Sequence, residues 1–198
     1  GDVPMSLQPT IDLSTIGISR TSADKVYEQI IIDLKLARDQ LPWAYTDVDK
    51  GRATRGAAGG YLTKVYLTLG LWQNAIDEAN IIIQSDVHDL MPNFSDIFKI
   101  ENSNNKELLF SINFTLNNDA IWETSQFNVR TLPVELNKNS LSWERPTQYL
   151  YDLFEPSDLR RDVTFRVQWT DNNSGETLTF DPHVFKYWDE TAEPNASS

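Results

Sequence analysis

Cysteine is absent from the 198-residue sequence, and histidine occurs only twice. Disulfides, thiolate metal sites and a cysteine nucleophile are therefore excluded. His88 and His183 lie in unrelated loop contexts without a partner set of acids, so we expect surface or structural roles for them. No Gly-x-Ser-x-Gly motif or phosphate-binding loop occurs, because Gly56, Gly59 and Gly60 fall inside a predicted helix. These absences predict a protein that is not an enzyme and that binds no cofactor and no metal.

Positive charge is also scarce, with 17 Lys and Arg against 29 Asp and Glu and a formal net charge of -12. A surface of this sign repels polyanions, so we expect no nucleic-acid partner. No apolar run reaches the roughly 18 residues that a membrane-spanning helix needs, and residues 1–30 lack the pattern of a signal peptide. Hydrophobic residues still make up 40% of the chain, which is enough for a packed core.

Helical periodicity dominates the first half of the chain. Residues 21–24, Thr-Ser-Ala-Asp, have the form of a capping box, and a helix is predicted from Ala23 to Gln40. The apolar face of this helix recurs every three or four residues and consists of Val26, Ile30, Leu34, Ala37 and Leu41. Thr54 is placed to cap the next helix with its hydroxyl group.

Five consecutive small residues at 56–60 lie in this second helix. Each glycine costs a helix about 1 kcal/mol relative to alanine, so the run predicts close packing against another helix. Gly70 suits a left-handed helix end, and a third helix is predicted from there to Gln84. The small residues, Gly70, Trp72 and Ala75 match the tetratricopeptide signature in order and spacing. We expect a helical hairpin with Trp72 in its core.

The second half of the chain is richer in loops. Residues 107–114 read as a short strand, and residues 115–145 are mostly irregular and polar. Pro146 suits the first position of a short helix. Two further strands are predicted at 163–169 and 176–180, and the polar residues between them have the composition of a hairpin turn rather than a calcium loop.

Aromatic residues are abundant, with six Trp, seven Tyr and nine Phe. Two of the indoles lie in the irregular polar region, beside amide, carboxylate and guanidinium side chains. An indole can stack on the apolar face of a sugar ring while such polar groups bind its hydroxyls. A glycan site is one interpretation of these indoles, and burial in the core or an interface is the other. The candidate site residues are Trp122, Trp143, Asn117, Asn118, Asp119 and Arg145.

Several short segments occur in a distinctive order along most of the chain. They are Gly1-Asp2-Val3-Pro4, Asp33-Leu34-Lys35-Leu36-Ala37 with Leu41-Pro42, Gly51-Arg52-Ala53-Thr54 before Ala57-Ala58, Ala75, Asn93-Phe94 with Ile97-Phe98, Glu107 with Leu109-Phe110, Trp143 with Pro146-Thr147, and Asp158 with Arg160. In this order the sequence resembles the SusD-like (SusD/RagB) family of outer-membrane nutrient-binding lipoproteins. The Gly-Arg-Ala-Thr helix start with the hairpin after it is the most specific part of the resemblance.

The resemblance implies one mainly α domain over residues 1–198. Tetratricopeptide-like helical hairpins over residues 21–84 would scaffold a loop-rich, ligand-binding part with short strands over residues 85–198. It also implies a cell-surface lipoprotein of the outer membrane, in bacteria of the Bacteroidetes type, that is not an enzyme. Family members bind glycans or other nutrients and cover a TonB-dependent, SusC-like transporter. The lipidated cysteine and further repeat helices of the family do not occur here, so we expect an internal fragment of a longer protein.

Three hypotheses follow for the function. The first is a surface glycan-binding protein that delivers oligosaccharides to a transporter. The second is a protein-interaction scaffold without sugar binding, since tetratricopeptide hairpins bind peptides. The third is a glycoside hydrolase, for which Asp119 with Glu123 and Asp158 with Asp162 are the nearest carboxylate pairs in sequence.

Overall fold

The structure is a computed structural model of the chain and describes residues 1–13, 16–113, 127–136, 140–170 and 174–188. The chain forms two compact units: Gly1–Leu90 with Lys106–Ser111, and Met91–Asn105 with Ile112–Ser198. In chain order the α-helices and strands of the described residues are β1 (Val3–Pro4), β2 (Arg20–Thr21), α1 (Ala23–Gln40), α2 (Arg55–Thr68), α3 (Trp72–Ile83), α4 (Phe127–Thr131), α5 (Gln148–Asp152), α6 (Leu159–Thr164), β3 (Phe165–Thr170) and β4 (Thr177–Val184). The predicted mainly α fold is confirmed.

Helix α1 has the predicted bounds but a different N-terminal cap. Ser22 is the residue before the helix, and its side chain makes no capping hydrogen bond. The Ala23 amide instead donates to Asp2 Oδ1 at 3.2 Å. Antiparallel pairing of β1 with β2 brings Asp2 to this position, because Val3 lies opposite Thr21. The predicted capping box is therefore wrong, and a carboxylate from the distant N-terminal segment stabilises the helix start.

The core of the first unit lies around α2, which packs against both α1 and α3. Leu62 is completely buried, and Tyr66 and Ala75 are 5% and 2% exposed. Ile31 and Leu34 of α1 pack against this cluster. The predicted apolar face of α1 thus covers one side of the hairpin that α2 and α3 form.

The ends of this hairpin follow the sequence pattern with one exception. Thr54 Oγ1 accepts a hydrogen bond from the Ala57 amide at 3.1 Å, and Gly70 has the predicted positive φ of 71°. Trp72, however, is 63% exposed, so its predicted core position is wrong. Helical side chains tilt toward the N-terminus, so a residue in the first turn extends past the packed part of its helix. The indole lies beside the Gly70 turn instead.

The small residues of α2 allow close packing, as predicted, and most of the packing partners come from loops. A Cβ atom added at Gly56 would overlap Nε2 of His88, and one added at Gly60 would lie 2.7 Å from Cδ1 of Leu109. Only Gly59 faces a neighbouring helix, with Glu78 Oε1 and Ile82 Cδ1 both 3.2 Å from an added Cβ. The small-residue run therefore accommodates both α3 and the segments that follow it.

We expect Gly56→Ala to lower the free energy of unfolding by about 1 kcal/mol. Overpacking costs about 1–3 kcal/mol, whereas the gain in helix propensity is at most about 1 kcal/mol. The His88 ring cannot easily move aside, because its Nδ1 donates to the Lys106 carbonyl at 3.1 Å. Urea denaturation measures the change, and Gly17→Ala is the matched control because an added Cβ there has no neighbour within 4 Å. A Gly56→Ala variant as stable as wild type would contradict the packing argument.

The predicted strand at 107–114 is wrong over residues 107–113, which form no strand, and Phe114 lies outside the described residues. Leu109 packs on Gly60 of α2. The ring of Phe110 meets that of Tyr61 edge to face, with 6.3 Å between their centroids. The apolar residues that suggested a strand therefore serve to cover the small-residue face of a helix.

The second unit contains the predicted hairpin. Strands β3 and β4 pair antiparallel from Phe165 opposite Val184 to Thr170 opposite Thr177, so β4 extends beyond its predicted end. Helix α5 begins later than predicted, because Thr147, not Pro146, marks its start. The Thr147 hydroxyl accepts from the Leu150 amide at 3.2 Å and caps the helix.

Helix α6, which the sequence pattern did not predict, begins with a charged cap. Asp158 Oδ1 accepts from the backbone amide of Arg160 at 3.0 Å and from its Nε at 2.9 Å. The hydrogen bonds from the Arg160 side chain, and then from its amide, lower the pKa of Asp158 from 3.8 to about 2. A carboxylate with a lowered pKa stabilises the fold above its unfolded pKa, and the contribution disappears as pH falls toward the folded value.

Asp158→Asn should therefore lower the melting temperature slightly at neutral pH, and the difference from wild type should shrink as pH falls from about 4 to about 2. Asparagine is also a good N-cap, so this variant removes the charge and keeps the cap. Asp158→Ala removes both, and part of its loss should persist at the acid end. Thermal unfolding at a series of pH values measures the three curves, and parallel curves for wild type and Asp158→Asn would contradict the assignment.

Candidate functional site

An open cleft of about 460 Å³ lies in the second unit, and we call it the Trp143 cleft. Its lining residues are Trp143, Arg145, Pro146, Thr147, Gln148, Asp181 and Pro182. One wall is the segment that leads into α5, and the other wall comes from the middle of β4. The site therefore depends on how these two segments are held together.

An irregularity in the β3–β4 ladder shapes the β4 wall. Arg166 lies opposite His183 and Gln168 lies opposite Thr179, so one residue of β3 faces three residues of β4. These three residues include Pro182, which has no amide hydrogen to donate to the ladder. Extra residues in one strand bend it and redirect their side chains. Here the bulge places Asp181, whose side chain is 85% exposed, at the cleft.

Helix α4 holds the opposite wall through backbone hydrogen bonds. The Leu141 amide donates to the Val129 carbonyl at 2.8 Å. The amides of Trp143 and Glu144 both donate to the Arg130 carbonyl, at 2.9 and 3.2 Å. Both neighbours of residue 142 are therefore tied by their backbones to the end of α4.

Ser142 connects the two walls. Its Oγ lies 2.6 Å from Nε2 of His183, and Nδ1 of that ring lies 2.6 Å from the Asp181 carbonyl oxygen. Because a carbonyl oxygen can only accept, Nδ1 is the ring nitrogen that donates to Asp181, and Nε2 is the ring nitrogen that faces the Ser142 hydroxyl. His183 is 3% exposed, as expected for a structural role, while Ser142 has a left-handed φ of 49°.

A serine hydrogen-bonded to an oriented histidine provides two of the groups that form a serine hydrolase site. Acyl transfer also needs amide donors for the developing oxyanion, and in the serine hydrolases with a nucleophile elbow one donor is the amide after the serine. That amide belongs to Trp143 and already donates to the Arg130 carbonyl. The geometry therefore favours a positioning role for Ser142 and His183.

The exposed surface of the cleft combines one aromatic face with a pair of opposite charges. Trp143 is 69% exposed. Arg145 Nη1 lies 3.8 Å from Asp181 Oδ2, and both side chains are more than half exposed. A surface pair at this distance is weak and leaves hydrogen-bonding capacity on both partners. The cleft therefore offers a flat apolar face, hydrogen-bond donors and acceptors, and no net charge from this pair.

The structure places two of the predicted site residues, Trp143 and Arg145, in the same cleft. The other four, Trp122, Asn117, Asn118 and Asp119, lie outside the described residues. Sequence reasoning missed the rest of the lining. A proline close to the end of a predicted strand indicates a bulge or an edge, so Pro182, two residues after the strand predicted at 176–180, was the available signal for the β4 wall. Nothing local to Gln148 or Thr147 distinguishes a cleft position from an ordinary helix start.

Other functional features are absent from the described part of the chain. It contains no group of three or more His, Cys, Asp or Glu side chains that could hold a metal ion. None of the helices described in the structure has the length and apolar character needed to cross a membrane.

The fold and the cleft define a mainly helical protein with an open aromatic site. Comparisons with known proteins show which proteins it is similar to. Residues 1–67 match a SusD-like family model described as starch-binding and associating with the outer membrane. SusD-like protein P2 of Formosa agariphila is 28% identical over 95% of this chain and 41% of its own length.

Two solved structures show the same fold. A laminarin-binding SusD-like protein superposes with a TM-score of 0.79 at 23% identity, over 95% of this chain and 47% of the other. Surface glycan-binding protein A of Bacteroides thetaiotaomicron, in complex with laminarihexaose, superposes with a TM-score of 0.68 at 19% identity, over 85% and 42%. The chain is similar to SusD-like proteins in its first 67 residues, in sequence along most of its length, and in fold. It spans less than half the length of each of these relatives.

Proposed function

We propose that this protein is a glycan-binding protein of the cell surface. The observation that carries the proposal is the Trp143 cleft, where Trp143, which is 69% exposed, lies beside Arg145 and Asp181. An indole face packs well on the apolar face of a sugar ring, and the charged groups bind its hydroxyls. The laminarin and laminarihexaose ligands of the two solved relatives support this ligand class. Binding of this kind requires no catalytic group, so the proposed function is not that of an enzyme.

Neutral oligosaccharides are the first candidates for the ligand. The single pair of opposite charges in the cleft gives no net charge, and the chain as a whole carries a net charge of -12. A strongly anionic glycan would meet repulsion from the surface without a compensating cluster of cations. Laminarin oligosaccharides, which are neutral glucans, fit these requirements.

The proposal extends to parts of the chain that the cleft does not include. Trp122 would add a second stacking surface, and Asn117, Asn118 and Asp119 would bind further hydroxyls. Residues 21–84 would serve as the helical scaffold, and residues 85–198 would form the ligand-binding part of one domain. Positions 117–122 are close in sequence to α4, which holds the Trp143 wall.

We also propose an outer-membrane location and a TonB-dependent, SusC-like transporter as the partner that receives the oligosaccharide. The family description, starch-binding and associating with the outer membrane, supports the location. A binding protein at that surface gains a function when its ligand passes to a transporter. Affinity purification from the native membrane, followed by mass spectrometry, tests whether a transporter accompanies the protein.

Isothermal titration of the full-length protein tests glycan binding directly. The panel should contain laminarin and starch oligosaccharides as neutral ligands and a uronate oligosaccharide as an anionic one. We expect heat of binding with a neutral ligand and none with the anionic one. Absence of heat with every member of the panel would overturn the proposal.

A protein-interaction scaffold is the second candidate, and an exposed apolar face on α3 favours it. Trp72, Ile76 and Ile83 are 63%, 53% and 68% exposed. Large apolar side chains grouped on one helix are characteristic of protein-binding surfaces. Co-purification of a partner protein in the absence of any sugar binding would favour this candidate over the first.

A further inference from the structure

The residue before Trp143 is held in a backbone conformation that costs energy. Ser142 has a φ of 49°, in the left-handed region that residues other than glycine rarely adopt. Such a conformation is unfavourable for a residue that has a side chain, and it persists only where its surroundings fix it. The amides of Leu141 and Trp143, both bonded to carbonyls of the α4 segment, fix it on either side. This strained position lies directly next to the exposed indole of the cleft.

Glycine would adopt the same backbone conformation without strain, but it has no hydroxyl group. The Ser142 hydroxyl bonds to Nε2 of His183 at 2.6 Å. On its other side the His183 ring is hydrogen-bonded to the Asp181 carbonyl, and it makes a T-shaped contact with the Phe180 ring, with 5.5 Å between the centroids. His183 is therefore fixed by β4 itself, and the hydroxyl of Ser142 connects the Trp143 wall to this fixed point.

We propose that the Ser142–His183 hydrogen bond, which we call the loop clamp, positions the Trp143 indole for ligand, so that Ser142 and His183 are positioning residues of the cleft. This inference rests on the proposed glycan-binding function. Without the clamp, residue 142 has less to hold it in the left-handed region, and the indole that follows it has more freedom.

The expected size of the effect follows from the cost of ordering one side chain. Immobilising a side chain on binding costs about 0.5–1.5 kcal/mol, which corresponds to an affinity change of about 2- to 12-fold. The loop clamp holds the indole in place before the ligand binds. If the clamp is lost, the cost of immobilising the indole falls on the binding step. We therefore expect Ser142→Ala to weaken glycan binding by about 3- to 10-fold.

The position of the indole can be tested without any ligand. Fluorine NMR of the protein labelled with 5-fluorotryptophan gives one signal for each of the six tryptophans, and Trp143→Phe identifies the signal of residue 143. Ser142→Ala and Ser142→Gly should both shift or broaden this signal. Ser142→Gly relieves the backbone strain and so guards against a variant that fails to fold. Thr170→Val is the matched control, because it removes a hydroxyl bond to Thr177 on the same hairpin outside the cleft lining.

Glycan titration then separates positioning from general stability. Ser142→Ala should weaken binding in the wild-type background and change it less than about twofold in the Trp143→Ala background, because a coupled pair is not additive. Equal effects in both backgrounds, or an unchanged Trp143 signal in both Ser142 variants, would overturn the inference. If the wild-type protein binds no glycan, the proposed function fails, and the NMR measurement still decides whether the clamp exists.

Discussion

Trp143→Ala is expected to weaken glycan binding by at least about 30-fold, which is a loss of about 2 kcal/mol or more. Tryptophan dominates the binding energy of many interfaces because one rigid side chain buries a large apolar area. In the Trp143 cleft it is the one aromatic residue among the described lining residues. Alanine leaves the charged pair of Arg145 and Asp181 without the apolar face that would exclude water from the bound sugar.

The same substitution should leave the fold almost unchanged. Trp143 is 69% exposed, and the hydrogen bond that ties it to Arg130 uses the backbone amide, which alanine retains. Exposed substitutions of this kind change stability by at most about 0.5 kcal/mol. A binding loss with an unchanged melting temperature therefore points to a direct contact with the ligand. Isothermal titration and a thermal melt of the same sample give the two values.

Trp72→Ala is the matched control, because Trp72 is 63% exposed and belongs to the first unit. We expect it to bind glycan with wild-type affinity. The opposite pattern, with binding lost in Trp72→Ala and retained in Trp143→Ala, would place the glycan site on the helical hairpin and contradict the assignment of the cleft. Loss in neither variant would direct attention to Trp122, the remaining predicted indole.

The helical part of the fold was predictable because the patterns that specify it are local. The bounds of α1 follow from the spacing of its apolar residues, and the turn before α3 follows from Gly70, whose φ is 71°. The three glycines of α2 indicated close packing, but they could not indicate the partner. His88 and Leu109 reach them from loops, and a loop position carries no periodic signal.

Features that depend on distant segments were not predictable from the sequence. The cap of α1 comes from Asp2, which reaches the helix only because β1 pairs with β2. The apolar residues at 107–113 could form a strand, or they could pack on a helix. They pack on α2, because its small residues leave room for them. Trp72 shows that a periodic position in the first turn of a helix is a weak guide to burial.

The candidate site also has a part that local sequence predicts and a part that depends on distant segments. Trp143 and Arg145 are near neighbours in sequence, so their common cleft follows from a single loop. Asp181 enters the cleft only because the β3–β4 register shifts, and a register depends on the pairing of both strands. The Ser142–His183 contact also requires the folded hairpin. Sequence reasoning found the indole of the cleft and missed what holds it in place.

Arg38→Met is expected to lower the free energy of unfolding by about 3–5 kcal/mol. Arg38 Nη1 lies 2.6 Å from Oε2 of Glu78, and Glu78 is 4% exposed. The other oxygen of this carboxylate, Oε1, has no hydrogen-bond partner among the described residues. Without Arg38, the buried Glu78 carboxylate would have no cation beside it, and burying an unpaired ion is costly.

Arg38 itself provides a control, because its guanidinium group has a second carboxylate partner that is exposed to solvent. Arg38 Nε lies 2.9 Å from Asp39 Oδ1, and the Asp39 side chain is 58% exposed. Asp39→Asn should leave stability unchanged, since an exposed ion pair exchanges its partner for solvent. Urea denaturation of the two variants compares the buried and the exposed partner of one guanidinium group.

A double variant decides whether the loss comes from the orphaned charge or from the missing arginine stem. Arg38→Met with Glu78→Leu replaces both partners by apolar groups of similar size, and such exchanges are often neutral. We expect the double variant to regain most of the stability that Arg38→Met loses. If it stays as unstable as the single variant, the packing of the Arg38 stem between α1 and α3 is the source of the loss. Gly59 supports the first outcome, because a Cβ added there would lie 3.2 Å from Oε1 of Glu78, which shows that the buried carboxylate packs directly against this glycine.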